Sequence, residues 1–253
     1  MSLARMCYPR IYFAAQVAFA YKIAQITGTP LHSALAHFTA LEEELTGASI
    51  QAQAHQILWE TFLASVAHTT AQEATDIVYT LYLQQPYAAY NPNWLPHGVR
   101  RFGALGVAAN PYNLDRNRVK LHFLPRRAEG SDLATASIPA RREDFRALLM
   151  WTKTHYPDIP SLISSTWLHN IPNYRALFPP CVLEHFVYQE HKFLGVWGQF
   201  VRWNGAAHEE RYQQFLSDLG YAHTVIEAIR AIPLPVTGAV VPLQAFYTWY
   251  GIS

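Results

Sequence analysis

Side chains that could recognise a small molecule are concentrated in one short stretch of the sequence. Residues 164–170 read Ser-Ser-Thr-Trp-Leu-His-Asn and overlap the end of an apolar run, residues 162–168, that predicts a strand. In open α/β sheets, ligands bind beyond the carboxyl ends of the strands. The candidate substrate-binding residues of this stretch are Trp167, Asn170 and Tyr174. The alternative is a plain strand-to-helix turn in which Asn170 caps the following helix.

Two histidines are candidate catalytic residues, because an imidazole can act as a general base near neutral pH. His169 belongs to the polar stretch itself. His122 lies in residues 119–123, whose alternating pattern predicts a half-buried strand with Lys120 and His122 on one face. For His122 the alternative is a structural histidine that is hydrogen bonded within the fold.

A third candidate pair comes from residues 193–203, an apolar run that we predict to be a long strand. Alternation along that strand would place Trp197 and Gln199 on one face. A buried amide needs hydrogen-bond partners. Gln199, with Trp197 beside it, is therefore either part of a substrate site or part of a hydrogen-bond network in the core.

Basic residues follow the predicted strand of His122 and could hold phosphate groups through charge-assisted hydrogen bonds. Arg126 and Arg127 are followed by Gly130 and Ser131, and Arg141 and Arg142 stand at the start of the next predicted helix, residues 142–155. The alternative is an ordinary solvated loop.

The composition and the absence of several motifs argue against other classes of function. The twelve histidines are dispersed and the two cysteines form no metal-binding spacing, so no metal site is expected. There is no serine-hydrolase elbow, P-loop or dinucleotide fingerprint. A net charge of +1 gives no electrostatic reason to expect nucleic acid as a partner.

The N-terminal apolar run, residues 11–20, is interrupted by Gln16, and its apolar pattern continues at helical spacing, which favours a buried helix over a signal peptide. No stretch reaches the roughly 18 apolar residues that would span a membrane. We therefore expect a cytoplasmic protein with two reduced cysteines and no membrane partner. Self-association into a homodimer stays open.

The sequence changes character near residue 85, and the two parts predict an α+β protein. Residues 10–85 show helical periodicity, with a capping box formed by Thr70 and Glu73. Residues 101–109 and 119–123 predict a β-hairpin, after which helices and strands alternate. We expect a helical unit, residues 1–85, packed on a mixed β-sheet flanked by helices, residues 86–253, in one compact globule.

Residues 118–205 resemble the C-terminal domain of GNAT-like bacterial acyltransferases. The resemblance is carried by Leu121-His122-Phe123, by Thr166-Trp167-Leu168 and by Leu177-Phe178-Pro179-Pro180. The whole chain is also similar to uncharacterised bacterial proteins with a Ser-Trp-Leu-Tyr-Asn run and a later Trp-Gly-Gln-Phe, which here are residues 166–170 and 197–200.

The GNAT resemblance implies a GNAT-like sheet and an acyl-CoA cofactor, whose pyrophosphate meets the N-terminus of a helix that follows a central strand. The family's phosphate signature, Arg/Gln-x-x-Gly-x-Gly/Ala, is not met, because residues 100–105 end in Leu105 and precede no helix. The basic residues at 126–142 are the available substitute. The two hypotheses are an acyl-CoA-dependent acyltransferase acting on a small molecule, and a non-catalytic small-molecule-binding or dimeric interaction protein on the same scaffold.

Overall fold

The computed structural model describes residues 7–46, 52–85, 95, 98–109, 117–124, 130–188 and 195–253. The chain divides into two compact units, and each combines two separate stretches of sequence. The helical unit comprises Met1–Asn91 and Glu190–Leu234, and the sheet unit comprises Pro92–Gln189 and Pro235–Ser253. The sequence grouped all of residues 86–253 with the sheet, whereas in the structure residues 195–234 pack with the N-terminal helices.

The elements confirm the predicted α+β class. The helices are α1 (Arg10–Thr27), α2 (Leu31–Phe38), α3 (Leu41–Thr46), α4 (Ala52–Val66), α5 (Ala71–Leu83), α6 (Ile138–His155), α7 (Pro172–Arg175), α8 (Glu209–Gly220), α9 (Val225–Arg230) and α10 (Leu243–Trp249). The strands are β1 (Val99–Phe102), β2 (Leu105–Ala109), β3 (Arg118–Phe123), β4 (Ser161–Thr166), β5 (Val187–Tyr188) and β6 (Thr237–Pro242). Short 3₁₀ helices cover Thr135–Ser137, Trp167–Asn170, Pro180–His185 and Trp197–Phe200.

Helix α1 is the centre of the helical unit, because apolar side chains cover most of its circumference. Phe13 and Phe19 are fully buried, and α2, α5, α8 and α9 pack around the helix. The helix ends at Gly28, whose backbone adopts a φ of 69° and donates to the carbonyl of Ala24. Helix α5 begins with the predicted capping box of Thr70 and Glu73, in which both reciprocal hydrogen bonds form.

The described strands of the sheet unit form one six-stranded sheet in the order β1-β2-β3-β4-β6-β5. The predicted hairpin pairing is confirmed, since β2 and β3 are antiparallel with Gly106 opposite His122. Strands β3 and β4 are parallel and α6 connects them, while β6 lies antiparallel to both β4 and β5. The sheet is therefore mixed, with one parallel pair at its centre.

One face of the sheet is covered by a continuous apolar core. Val119 and Leu121 of β3 and Leu162 of β4 meet Phe145 of α6 and Phe246 of α10 there. Because side chains alternate along a strand, Lys120 and His122 project from the opposite face.

Two predicted strands differ from the structure. Residues 101–109 are not one run, because Gly103 takes a positive φ of 58° and turns the chain from β1 into β2. The strand predicted over residues 193–203 is wrong for its described part, which forms the 3₁₀ helix Trp197–Phe200 and a single bridge at Val201. A short apolar run that is buried on all sides has the same sequence pattern in a strand as in a helix. The pattern therefore could not distinguish the two structures.

Within the part of the chain that the structure describes, no helix has both the length and the apolar character needed to cross a bilayer.

Candidate functional site

The ring of His169 is held between two neighbouring strands of the sheet. His169 lies in the 3₁₀ helix that directly follows β4. Its Nε2 is 2.9 Å from Oγ of Ser164 in β4, and its Nδ1 is 3.0 Å from the carbonyl oxygen of Thr237 in β6. The Thr237 hydroxyl is 3.1 Å from the same Nδ1. The local turn therefore depends on a contact with a strand that lies 68 positions further along the chain.

These contacts fix where the protons lie. A carbonyl oxygen only accepts hydrogen bonds, so Nδ1 of His169 carries the proton and donates to Thr237. The lone pair of the neutral ring is then on Nε2, and Ser164 donates its hydroxyl proton to it. The Tyr174 ring packs against His169 with the centroids 5.6 Å apart, and Ser164 acts on the Tyr174 hydroxyl by lowering its pKa against the larger effect of burial. We call Tyr174, Ser164, His169 and Thr237 the His169 network.

The His169 network is dry. Ser164 is 1% exposed, Tyr174 1% and His169 4%. The rings of Phe178 and Phe186 pack against His169, with the Phe186 centroid 4.0 Å away. Burial lowers the pKa of His169 to about 4, although the hydrogen bond to Thr237 opposes this shift. The ring is therefore neutral at pH 7, as the tautomer above requires.

The structure brings the other candidates of the stretch next to His169. Tyr174 belongs to the network, and Trp167 packs at the margin of the sheet core. Asn170 does not cap the following helix, contrary to the alternative considered for the turn. Its Nδ2 donates to the carbonyls of Trp167 and Pro235, each at 2.8 Å, and α7 begins without a side-chain cap. Asn170 therefore ties the turn to the segment that precedes β6.

His122, the other candidate base, does not share this site. Its side chain is on the opposite face of the sheet from Leu121, and the described residues offer its ring no side-chain hydrogen bond. Burial, and then the charge of Lys120, lower the pKa of His122 to about 4. The two histidines are thus on opposite faces and cannot act on the same atom.

Trp197 and Gln199 lie in the helical unit, fully buried. The Trp197 ring packs edge-on against Phe19, with centroids 5.6 Å apart. The Gln199 amide donates to the carbonyls of Val196 and Leu234, and its oxygen accepts from the Leu234 N–H at 2.9 Å. Of the two interpretations left open for Gln199, these contacts are those of a core hydrogen-bond network.

The basic loop has only one free guanidinium among its described residues. Arg126 and Arg127 lie outside the described residues. Arg141 is 1% exposed and forms ion pairs with Asp132 and with Asp144, the latter at 2.8 Å, so it is not available to a phosphate. Arg142 is exposed; its guanidinium donates over 3.4 Å to the carbonyl of Ala176, and its charge acts on Tyr250.

Gly130 and Ser131 shape the turn that leads into α6. Gly130 has a φ of 118°, a backbone conformation that favours glycine. Ser131 accepts from the Leu133 N–H with its hydroxyl and from Ser137 with its carbonyl. Their contacts are those of a closed turn that fixes where α6 begins.

Strands β3 and β4 separate at their carboxyl ends. They pair at only three positions, of which Lys120 opposite Ile163 is the last, although β3 continues to 123 and β4 to 166. Among the described strands, β3 beyond that position pairs only with β2, and β4 only with β6. The backbone edges of residues 121–123 and 164–166 that face each other form no ladder. We call this feature the β3–β4 gap.

The start of α6 lies at the same end of the sheet as the gap. Asp144, in the second turn of α6, accepts from the N–H of Ala104 at 3.1 Å, and the carbonyl of Ala104 accepts from Leu124 just beyond β3. The first turn of α6 contains no acidic residue, and the Ser137 side chain does not cap it. The Ile138 N–H already donates to the carbonyl of Thr135, and Pro139 has no N–H, so this end of the 18-residue helix can attract an anion through the helix dipole and the exposed Arg142.

Sequence reasoning did not single out Ser164, Thr237 or Asp132. A serine five positions before a histidine gives no signal, because a strand followed by a turn is needed to bring the two together. Thr237 and Asp132 act across the tertiary structure and have no local pattern.

Among the residues that the structure describes, no cluster of three or more His, Cys, Asp or Glu side chains could hold a metal ion. Comparison of the chain with family models, with curated proteins and with solved structures finds no significant match. The functional argument therefore depends on the geometry of the sheet unit and on the resemblance seen in the sequence.

Proposed function

We propose that this protein transfers an acyl group from acyl-CoA to a small-molecule acceptor, with the donor bound at the β3–β4 gap. The observation that carries the proposal is the early separation of two parallel strands beside the positive N-terminal end of α6. Parallel strands that separate at their carboxyl ends form a crevice, and that is the edge of an α/β sheet where ligands bind.

The chemistry of acyl-CoA matches both the β3–β4 gap and the N-terminal end of α6. Its long arm contains amide groups, which can form hydrogen bonds in the way that an added strand does. Their partners would be the backbone edges of residues 121–123 and 164–166, which form no ladder with each other. Its diphosphate suits the positive end of α6 and the guanidinium of Arg142. Backbone N–H groups of the separated strands are also the kind of donor that polarises a thioester carbonyl during acyl transfer.

A second candidate function is binding without catalysis, and a specific observation favours it. The pKa values of both candidate bases, His122 and His169, are lowered to about 4 by burial. A base so weak takes a proton from an attacking amine inefficiently, because a general base works best with a pKa near the working pH. If the protein only binds acyl-CoA or a similar molecule, the same gap holds the ligand.

The test combines binding with turnover. Isothermal titration with CoA and acetyl-CoA measures the donor site, and release of free CoA thiol in the presence of a panel of amines measures transfer. We expect both donors to bind, and Arg142→Ala to raise the dissociation constant roughly tenfold, the effect of losing one charge-assisted contact. The matched control is Arg146→Ala, one turn further along α6, where the field of the helix terminus has decayed.

The outcomes separate the two candidate functions. Binding with release of CoA thiol supports the acyltransferase. Binding without thiol release with any amine supports the binding protein. Failure of CoA and acetyl-CoA to bind the wild-type chain would overturn the proposed donor site.

A further inference from the structure

We propose that Ser164 is the nucleophile of this protein, with His169 as its base, so that acyl transfer proceeds through an acyl-serine intermediate. The inference rests on the proposed function for its donor, acyl-CoA. The observation behind it is the ordered series of contacts in the His169 network. A hydroxyl, an imidazole and a group that orients the imidazole, all within hydrogen-bond distance, are the signature of an activated nucleophile.

The tautomer of His169 determines that its proton acceptor faces Ser164. Nδ1 donates to the Thr237 carbonyl at 3.0 Å, so Nε2 is the one proton acceptor of the ring. That atom already receives the hydrogen bond of Ser164 at 2.9 Å. Any proton that His169 takes in this geometry is the hydroxyl proton of Ser164. A direct role of His169 as base for an external amine would require breaking that contact.

The place of Ser164 in the sheet agrees with this role. The last paired position of β3 and β4 is Lys120 opposite Ile163, so Ser164 is the first residue of β4 beyond the ladder. If the register continued, Ser164 would be opposite Leu121. The Ser164 side chain shares the core face of β4 with Leu162, at the level where the β3–β4 gap begins, so the thioester has to reach the hydroxyl from the gap.

Tyr174 could stabilise the negative charge that develops during acyl transfer. Its ring packs against His169, and burial raises the pKa of Tyr174, which keeps the hydroxyl protonated. Once the serine oxygen has attacked, Tyr174 remains a preorganised donor beside the reacting centre. Donors of this kind stabilise the negative charge that develops in the tetrahedral intermediate.

The reaction balances without a further reactant. Oγ of Ser164 attacks the thioester carbonyl carbon while its proton moves to Nε2 of His169. The carbon–sulfur bond breaks, and the proton passes from Nε2 to the departing sulfur, which leaves as CoA thiol. An acceptor amine then attacks the serine ester and gives a proton to Nε2. The ester bond breaks, the proton returns to Oγ, and an amide is released.

The first test uses the wild-type chain. Acetyl-CoA is added, the reaction is stopped with acid, and the peptides are analysed by mass spectrometry; we expect an acetyl group on Ser164. In parallel, a fluorophosphonate probe, which reacts with activated serines, is expected to label the same residue. Ser164 is 1% exposed, so both reagents have to reach it through the β3–β4 gap, and the labelling measures that access directly.

The second test uses a matched pair of variants. Ser164→Ala should lose the acetyl label and lower the rate of CoA release by roughly 10²–10⁴-fold. Ser161→Ala, at the opposite end of β4 and outside the β3–β4 gap, should keep both. Circular dichroism and thermal unfolding verify that each variant is folded, and the wild-type labelling does not depend on that result.

Each outcome decides the proposal. Turnover without acetylated Ser164 would mean direct transfer from the thioester, which overturns this inference and leaves the proposed function intact. CoA binding with neither turnover nor label on Ser164 would overturn it in favour of the binding protein. Fluorophosphonate labelling of Ser164 in a chain that binds no CoA would support the nucleophile while refuting the donor.

Discussion

The burial of His169 determines how the folded protein responds to acid. Its pKa falls to about 4 in the folded chain and returns to the ordinary 6.5 on unfolding. Between pH 6.5 and pH 4 the unfolded chain binds a proton on His169 that the folded chain does not. The contribution of His169 to the unfolding free energy is therefore complete above pH 6.5 and is lost as the pH falls towards 4. This contribution is about 3 kcal/mol, from 1.4 kcal/mol per pKa unit.

We therefore expect His169→Gln to show a smaller loss of unfolding free energy than the wild type between pH 7 and 4.5, measured by urea denaturation at each pH. His122→Gln should reduce this loss by a similar amount, because burial also lowers the pKa of His122 to about 4, and the double variant should show the sum of the two effects. Burial raises the pKa of Glu44 to about 7, so Glu44 affects the pH dependence of the unfolding free energy with the opposite sign. This effect is the same in all variants. Parallel pH profiles of His169→Gln and the wild type would refute the assignment.

Gln199 shows how much a buried amide contributes when all its groups are bonded. Replacing it with Leu leaves the N–H and C=O of Leu234 without their partner, whereas the C=O of Val196 still accepts from the backbone N–H of residue 199. An unsatisfied buried group costs about 1–3 kcal/mol, so Gln199→Leu should lower the unfolding free energy by about 2–4 kcal/mol in urea denaturation. Gln214→Leu, which removes an exposed contact to Asp218, should change it by less than about 0.5 kcal/mol. Equal effects would contradict the core role of Gln199.

At the scale of elements, the turn between β1 and β2 is fixed by its contact with α6. A Cβ at Gly103 would clash with the carboxylate of Asp144, the residue that pairs with Arg141 and accepts from Ala104. Gly103→Ala therefore combines the strain of a positive φ with displacement of that carboxylate. We expect a loss of about 3 kcal/mol or more in urea denaturation, since the variant disturbs a buried ion pair.

Gly251→Ala is the matched control for the strain alone. Gly251 has a similar φ of 62°, and its Cβ would meet nothing within 4 Å. We expect a loss of about 1 kcal/mol, the ordinary cost of a side chain in the left-handed region. A Gly103→Ala variant no less stable than Gly251→Ala would refute the contact with Asp144.

The elements also show what the sequence could predict. The capping box of Thr70 and Glu73 and the alternation of residues 119–123 are local signals, and both predictions were right. The run at 193–203 has no such signal, because burial on all sides removes the contrast between apolar and polar positions. The polar stretch 164–170 was identified as a candidate, but its hydrogen bonds depend on Thr237, which no local pattern connects to it.

At the scale of the whole molecule, the helical unit is built from both parts of the chain. Trp197 packs against Phe19, and Lys22 donates to the carbonyl of Gly220. A fragment that begins at residue 86, the predicted domain boundary, leaves residues 195–234 without α1. We expect limited proteolysis of this fragment to cut within 195–234 while residues 130–188 stay protected. Equal protection of both segments would contradict the division into units.

The central claim, that the β3–β4 gap holds an acyl-CoA, has one direct test. Hydrogen exchange followed by mass spectrometry compares the wild-type chain with and without saturating CoA. An added ligand strand would occupy the unladdered edges, so we predict slower exchange in peptides that contain residues 121–123 and 164–166, and at the start of α6. Unchanged exchange at all three places, with CoA bound elsewhere or not bound, would contradict the account.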